Sequence, residues 1–359
     1  MVVGWVCVTD ADRLIYVERR VAVVGAGSWG TVIASMIARK VTTVLWARSC
    51  KVSDAINDYN ENPTYLPGLR LPKTLRATSS LAEVSEGASL VFIAVPSHGF
   101  RQVLVQLAPY VGKATVMISL SKGLEISSNL RMSEVIREIL PDMSVGVLTG
   151  PNLAREIAQG QPAASVVASN DVSKAFEIQQ LLHSDMFRVY TSTDVIGCEI
   201  AGAVKNVIAI AVGISDGLGF GENTRAVLMT RGLAELERLG LAVGGDMDTF
   251  KGLAGVGDLV ATCTSSRSRN RTLGYELGQG RKLKELISGS QSVAEGVETA
   301  APLRGLAQIN GVEMPIVEQV CRIIQGDSSP RQALVALMDR PEKPESESIY
   351  KNLQRSSNG

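Results

Sequence analysis

From residue 20 to about residue 192, short runs rich in valine, isoleucine and threonine alternate with helix-like stretches. The order is RVAVVG, then TVIASMIARK and TTVLW, and later LVFIAVP, ATVMISL, SVGVLTG, ASVVAS and FRVYTS. Strands separated by helices are joined by crossovers, and crossovers place the strands parallel with helices covering both faces. The chain is therefore expected to begin with an α/β Rossmann domain, a mostly parallel doubly wound sheet, over residues 20–193. Several strand runs end in glycine or polar residues: GAGSWG at 25–30, WARS at 46–49, VPSHG at 95–99, LSKG at 120–123 and TGPN at 149–152. In open α/β sheets that edge binds ligands. After Thr193 the period becomes helical, from VIGCEIAGAVKN to ALVALM, which predicts an all-α second domain over 194–340. At 359 residues and 45% hydrophobic, the chain has enough apolar side chain for two cores.

Charge excludes some partners. Lysine plus arginine equals aspartate plus glutamate at 36 each, so there is no basic field for nucleic acid or an anionic membrane. The cysteines at 7, 50, 198, 263 and 321 form no CxxC pair, and with only His98 and His183 no metal-ligand spacing arises. No metal is expected, and a reducing cytoplasm fits. The opening MVVGWVCVTDADRLIYVERR lacks a basic n-region, and Asp10 and Asp12 cut its apolar run short of a signal or membrane span. Residues 1–19 read as an extension outside the fold. The tail 341–359, rich in Glu, Ser and Asn, carries too few apolar residues to pack and reads as flexible.

GAGSWG follows a strand and opens a helix, the context a dinucleotide-binding turn requires. Gly25 makes the tight turn, Gly27 lets a pyrophosphate approach the backbone, and Gly30 lets helix and strand pack closely. About 20 residues on, where an acidic side chain would hold a free ribose 2′-hydroxyl, the chain has Arg48. A guanidinium cannot accept those hydroxyl hydrogen bonds but pairs with a 2′-phosphate. NADP(H) is thus expected to serve at least as well as NAD(H), unless Arg48 is only a surface residue past a strand end.

In GAVKNVIAIAVG, residues 202–213, Lys205 stands with Asn206 in an otherwise apolar run. Its helical neighbours are Ala201, Gly202, Ile208 and Ala209, three of them small, so space is left beside the amine. By itself the stretch fits a snorkelling lysine or a structural ion pair as well as a working amine. Lys122 follows the strand ATVMISL and reaches the sheet edge. GLAGVGDL brings Asp258 out of a glycine-rich stretch, and SSRSRNR interleaves three arginines with serine and asparagine. Such a cluster is either a solvated face or a clamp for a small phosphorylated ligand. His98 sits at a strand end and could line the cleft; His183 closes a helix and reads as surface.

Together GAGSWGT, NPTYLPG, VPSH, SKGLE, GPN, GAVKNVIAI, DGLGFGENT, RGLAE, GLAGVGDL, SRNR and VAEGVET resemble the NAD(P)-dependent glycerol-3-phosphate dehydrogenases, in order from residue 20 to about 340. The resemblance implies a cytoplasmic enzyme that interconverts dihydroxyacetone phosphate and sn-glycerol 3-phosphate for glycerophospholipid synthesis. It implies a second domain of the 6-phosphogluconate dehydrogenase C-terminal-like type and is compatible with a homodimer. Residue by residue, it makes Lys205 the proton donor and acceptor and Lys122 the second active-site lysine. Substrate contacts fall on Lys122, Gly150, Asn152, Lys205, Asn206, Asp258, Ser268, Arg269 and Asn270. Cofactor contacts fall on Gly25, Gly27, Ser28, Trp29, Gly30, Arg48, Tyr65, Lys122, Ala154, Arg269, Val293 and Glu295. Asn152 stands where the family usually has a hydroxyl residue, and ARKVTT lacks the usual Asn-Gly pair.

Ketone reduction needs a proton for the alkoxide, and a lysine with depressed pKa can supply it near neutrality. Lys205 is therefore expected to face the nicotinamide, desolvated and near Lys122, while Lys122 orients or polarises the carbonyl and Arg269 and Asn270 hold the phosphate. Two rivals remain. One is a related Rossmann-plus-helical-domain enzyme acting on a hydroxy acid or sugar acid, such as a 6-phosphogluconate or ketopantoate type. The other is a non-catalytic NADP(H)-binding sensor.

Overall fold

A computed structural model of the chain describes residues 20–288 and 294–342. The extension 1–19, most of the tail and Val293 lie outside the described residues. Eight strands form one sheet: β1 (Arg20–Val24), β2 (Thr42–Trp46), β3 (Arg76–Thr78), β4 (Ala88–Ile93), β5 (Val116–Ser119), β6 (Ser144–Thr149), β7 (Ala163–Ser169) and β8 (Phe187–Ser192). Their spatial order is β3-β2-β1-β4-β5-β6-β7-β8. The order reverses between β1 and β4, the position at which open α/β sheets form a ligand crevice. All pairs are parallel except β6 with β7.

The central strands β1, β4 and β5 are largely apolar because both faces of the sheet are covered there. Val21, Val23, Leu45, Leu90, Phe92 and Ile118 pack on one face, and Ala22, Val24, Val44, Val91, Ile93 and Met117 on the other. β3, only three residues long and reading RAT, had no strand signal and joins the edge by pairing with β2.

From Val195 onward the described residues form helices and the loops between them. Its centre is the helix Val195–Gly217, 23 residues and buried along nearly its whole length. By length and composition it could cross a membrane, but 94% of its most apolar window is buried inside the protein, so it is a core helix. Among the helices that cover it are Glu222–Ala242, Asp258–Thr264, Arg269–Gly278, Glu295–Ile309 and Pro315–Gln325. The helix Arg269–Gly278 lies closest: a Cβ at Gly213 would stand 2.0 Å from Arg271 O, and one at Gly274 would stand 2.1 Å from Ile210 O. Glycines on both helices thus allow backbone-to-backbone contact, which brings Asn270 up against the lysine-bearing helix.

Glu199, on the first turns of the core helix, ties the two halves together. It accepts from Arg131 Nη1 at 3.0 Å, from Ser133 N at 2.8 Å and from Ser133 Oγ at 2.6 Å. Burial raises its pKa, and the Arg131 and Ser133 contacts oppose that rise.

Candidate active site

The glycine turn connects β1 to the helix Ser28–Ile37. Gly25 has φ +119°, and a Cβ there would come within 2.6 Å of Ala94 O on the neighbouring strand's exit. A Cβ on Gly30 would stand 2.0 Å from Gly25 O, whereas one on Gly27 would meet nothing within 4 Å. Gly27 therefore faces open space at a helix start that no side chain caps. Free amide groups and the helix dipole make such an end a phosphate cradle. The loop NPTYLPG is fastened over this turn. Asn62 Nδ2 donates to Ala26 O at 2.9 Å and to Thr31 Oγ1 at 2.8 Å, and Ser28 Oγ donates to Tyr65 O at 2.8 Å. The Tyr65 ring is exposed, and so is Arg48, two residues past β2. Trp29 packs near Phe187, and its buried Nε1 has no partner among the described residues. Ala154 opens the short helix Ala154–Ala158, which packs on the helix Ser28–Ile37. The cradle at Gly27 and the uncapped helix fit a dinucleotide pyrophosphate.

Where the core helix packs against the end of the sheet, Lys205 and Lys122 meet at one carboxylate. Lys205 Nζ donates to Asp258 Oδ1 at 2.8 Å and to Thr262 Oγ1 at 2.8 Å. Lys122 Nζ donates to Asp258 Oδ2 at 2.6 Å and to Gly150 O at 2.8 Å. The position of Asp258 follows from GLAGVGDL. A wide turn over Leu253–Gly257, closed by Gly257 N to Gly252 O, leads directly into the helix Asp258–Thr264. Four residues apart on that helix, Asp258 and Thr262 share a face. The small neighbours of Lys205 also find their reason here. A Cβ on Gly202 would stand 3.4 Å from Lys122 Cγ, so the second lysine's stem occupies the space the sequence leaves open.

Electrostatics separate the members of the cluster. Burial pushes the Lys122 ammonium down to about 8, with Asp258 opposing the fall and Lys205 adding to it. Burial disfavours charge on Asp258, but Lys122 and Lys205 outweigh it and hold its carboxyl below the usual carboxylate range.

A relay of amides extends the site. Asn206 Nδ2 donates to Lys122 O at 3.1 Å, Asn270 Nδ2 to Asn206 Oδ1 at 2.9 Å, and Gly296 N to Asn270 Oδ1 at 2.9 Å. This relay fixes the start of the helix Arg269–Gly278, which Ser268 caps by accepting from Arg271 N. Arg269 lies 3.9 Å from Glu295 and is largely exposed. Gly150, at φ +128°, turns the chain after β6, and Asn152 follows with its Oδ1 held by Ser165 Oγ at 2.7 Å. His98 stands apart from the lysine cluster: its Nδ1 lies 2.5 Å from Glu298 Oε2, a link between the two halves. His183 is exposed at a helix end. Among the described residues no group of three or more His, Cys, Asp and Glu side chains could hold a metal ion.

Three contributors escaped the sequence reading. Thr262 could have been found from its spacing of four from Asp258. Asn62 reads as a turn residue, and Ser165 as one more position in a strand.

A glycine cradle at a sheet switch point, with a buried lysine–aspartate–lysine cluster shared between the sheet half and the helical half, is the arrangement of a nicotinamide-dependent Rossmann dehydrogenase. Profiles of the NAD-dependent glycerol-3-phosphate dehydrogenase N-terminus and C-terminus match residues 20–175 and 194–335. The chain belongs to the NAD(P)-dependent glycerol-3-phosphate dehydrogenase family. It is 52% identical over 307 residues to glycerol-3-phosphate dehydrogenase (NAD(P)+) 2 of Sphingopyxis alaskensis, covering 86% of this chain and 92% of that one. To the glycerol-3-phosphate dehydrogenase (NAD(P)+) of Thermobifida fusca it is 50% identical over 330 residues, covering 91% and 98%. The crystal structure of glycerol-3-phosphate dehydrogenase from Coxiella burnetii superposes with a TM-score of 0.87 at 40% identity, covering 90% of this chain and 99% of that one.

Proposed function

We propose that the chain reduces dihydroxyacetone phosphate to sn-glycerol 3-phosphate, reversibly, with NADPH or NADH. The observation that carries the reading is the Lys205–Asp258–Lys122 cluster at the cleft between the sheet and the core helix. A nicotinamide held by the glycine turn would supply the hydride that the substrate C2 accepts. Lys205 gives its proton to the oxygen of the resulting alkoxide, and takes it back in the reverse direction. Lys122, charged below about pH 8, directs an N–H at the carbonyl oxygen and polarises it. Asp258 holds both amines at fixed distances, so little reorganisation is needed as charge develops. Arg269 and Asn270, with Ser268, take the phosphate, and Gly150, Asn152 and Asn206 border the same pocket. Gly25, Gly27, Ser28, Trp29 and Gly30 hold the pyrophosphate end of the cofactor. Arg48, Tyr65, Ala154, Val293 and Glu295 complete its contacts. The enzyme works in the cytoplasm as a homodimer, supplying glycerophospholipid synthesis, with the domain boundary at residues 193–194.

Arg269→Gln tests the phosphate assignment. KM for dihydroxyacetone phosphate should rise by roughly a hundredfold, the worth of a charge-assisted pair of about 3 kcal/mol. Unphosphorylated dihydroxyacetone, a poor substrate throughout, should be nearly indifferent. Equal losses on both compounds would mean that Arg269 serves positioning or folding, since a missing phosphate contact cannot harm a substrate without the phosphate.

Arg48→Asp tests the cofactor assignment. The variant should weaken NADPH by on the order of 2 kcal/mol, roughly thirtyfold, and leave NADH much less affected. If titration of both cofactors showed equal changes, Arg48 would not be the 2′-phosphate ligand.

A further inference from the structure

The turn after β6 carries two buried polar atoms without a hydrogen-bond partner among the described residues, Thr149 Oγ1 and Asn152 Nδ2. The other end of the Asn152 carboxamide is engaged: Ser165 Oγ donates to Asn152 Oδ1 at 2.7 Å. Ser165, on β7, is fully buried, and its Cα lies 3.2 Å from where a Cβ on Gly150 would stand. It therefore lies directly beneath the turn whose Gly150 carbonyl holds Lys122 Nζ at 2.8 Å. A carboxamide has an acceptor at one end and two donors at the other. With the oxygen claimed from below, the NH₂ is the end left for a ligand. A buried donor without an acceptor is costly, and a ligand oxygen placed within reach relieves that cost.

We propose that Ser165 is a positioning residue that locks the Asn152 carboxamide with its NH₂ toward an oxygen of the substrate. The proposal rests on the reading that the turn 150–152 borders the dihydroxyacetone phosphate pocket. A short hydroxyl at position 152 rotates to suit a ligand by itself. The longer carboxamide has two unlike ends and needs a partner to choose between them. Ser165 and Asn152 thus form one functional unit spread over two strands' ends.

Steady-state kinetics of the full chain with dihydroxyacetone phosphate and NADPH test this in Ser165→Ala, Ser165→Thr, Asn152→Ala, Asn152→Thr and the double variant Asn152→Thr with Ser165→Ala. Ser165→Ala should raise KM for dihydroxyacetone phosphate roughly five- to tenfold, the worth of one neutral hydrogen bond, with kcat nearly unchanged. Its NADPH Kd should match the parent, its melting temperature should fall by no more than the loss of one hydrogen bond costs, and Ser165→Thr should keep the low KM. In the Asn152→Thr background, Ser165→Ala should leave KM where it is, because no carboxamide remains to orient. An unchanged KM in Ser165→Ala, with a raised KM in Asn152→Ala, would overturn the positioning role alone. An unchanged KM in both would overturn the placement of the turn at the substrate. A rise of equal size in the Asn152→Thr background, or a larger fall in melting temperature with weaker NADPH, would show that Ser165 acts through packing.

Discussion

Lys205→Met is expected to lower kcat for dihydroxyacetone phosphate reduction by roughly 10² to 10⁴, the usual worth of a positioned proton donor. Methionine keeps the length and apolarity of the side chain, and Asp258 retains Lys122 at 2.6 Å, so no charge is left buried without a partner. The variant should therefore fold, melt no lower than the parent and bind NADPH with an unaltered Kd. It should also shift the alkaline limb of its residual activity. Lys205 is one of the charges that push Lys122 down to about 8, so removing it lets Lys122 keep its proton to higher pH. Rapid-mixing measurement of NADPH oxidation across pH checks both expectations. Near-parental kcat with an unmoved limb would make Lys205 a structural ion-pair partner.

Asp258→Asn should damage both stability and activity. It leaves two ammonium groups in a buried cluster without their shared anion, a situation that costs about 3–5 kcal/mol when one partner of a buried pair is removed. Urea unfolding at neutral pH should show that loss. The pH dependence has a defined sign. Lys122 has a folded-state pKa of about 8 against its ordinary 10.5, so between those values the unfolded chain binds more protons than the native one. In the parent, the contribution of this group to stability therefore rises as pH climbs through that window and is at its least favourable below about pH 8. Without Asp258 the ammonium loses its largest support. The window should open at lower pH, and the alkaline limb of kcat/KM for reduction should move the same way. A variant with parental stability and an unmoved limb would show that the two lysines do not depend on this carboxylate.

The physics explains which parts of this molecule can be read from its chain. β1, β4 and β5 are buried on both faces, so they stand out as apolar β-branched runs between helical stretches. β3 has three residues and is held by pairing with β2, a tertiary effect that leaves no local pattern. Nor does any periodicity reveal that β7 runs against β6, because alternation along a strand is the same in either direction. Lys205 is conspicuous because a charge interrupts an apolar helix with small neighbours, yet that signal alone does not distinguish an ion pair from a catalytic group. The distinction needs Lys122, Asp258 and Thr262, which lie 83, 53 and 57 residues away and converge only in three dimensions. Asn270 stands out in SSRSRNR, but its approach to the core helix depends on Gly213 and Gly274, whose meaning emerges only when the two backbones touch. Asn62 and Ser165 work by holding other residues, and polar side chains in a turn and a strand carry no mark of what they hold.

The central claim is that this cleft carries out nicotinamide-dependent reduction of a phosphorylated triose, and the initial rate of NADPH oxidation by the purified full chain tests it most directly. Dihydroxyacetone phosphate, dihydroxyacetone, ketopantoate and the keto forms of simple hydroxy acids should be compared at equal concentration. Dihydroxyacetone phosphate should oxidise NADPH rapidly, dihydroxyacetone at a rate lower by at least roughly a hundredfold, and the keto acids not above background. Preferred turnover of a keto acid, or NADPH binding without oxidation by any of these compounds, would contradict it.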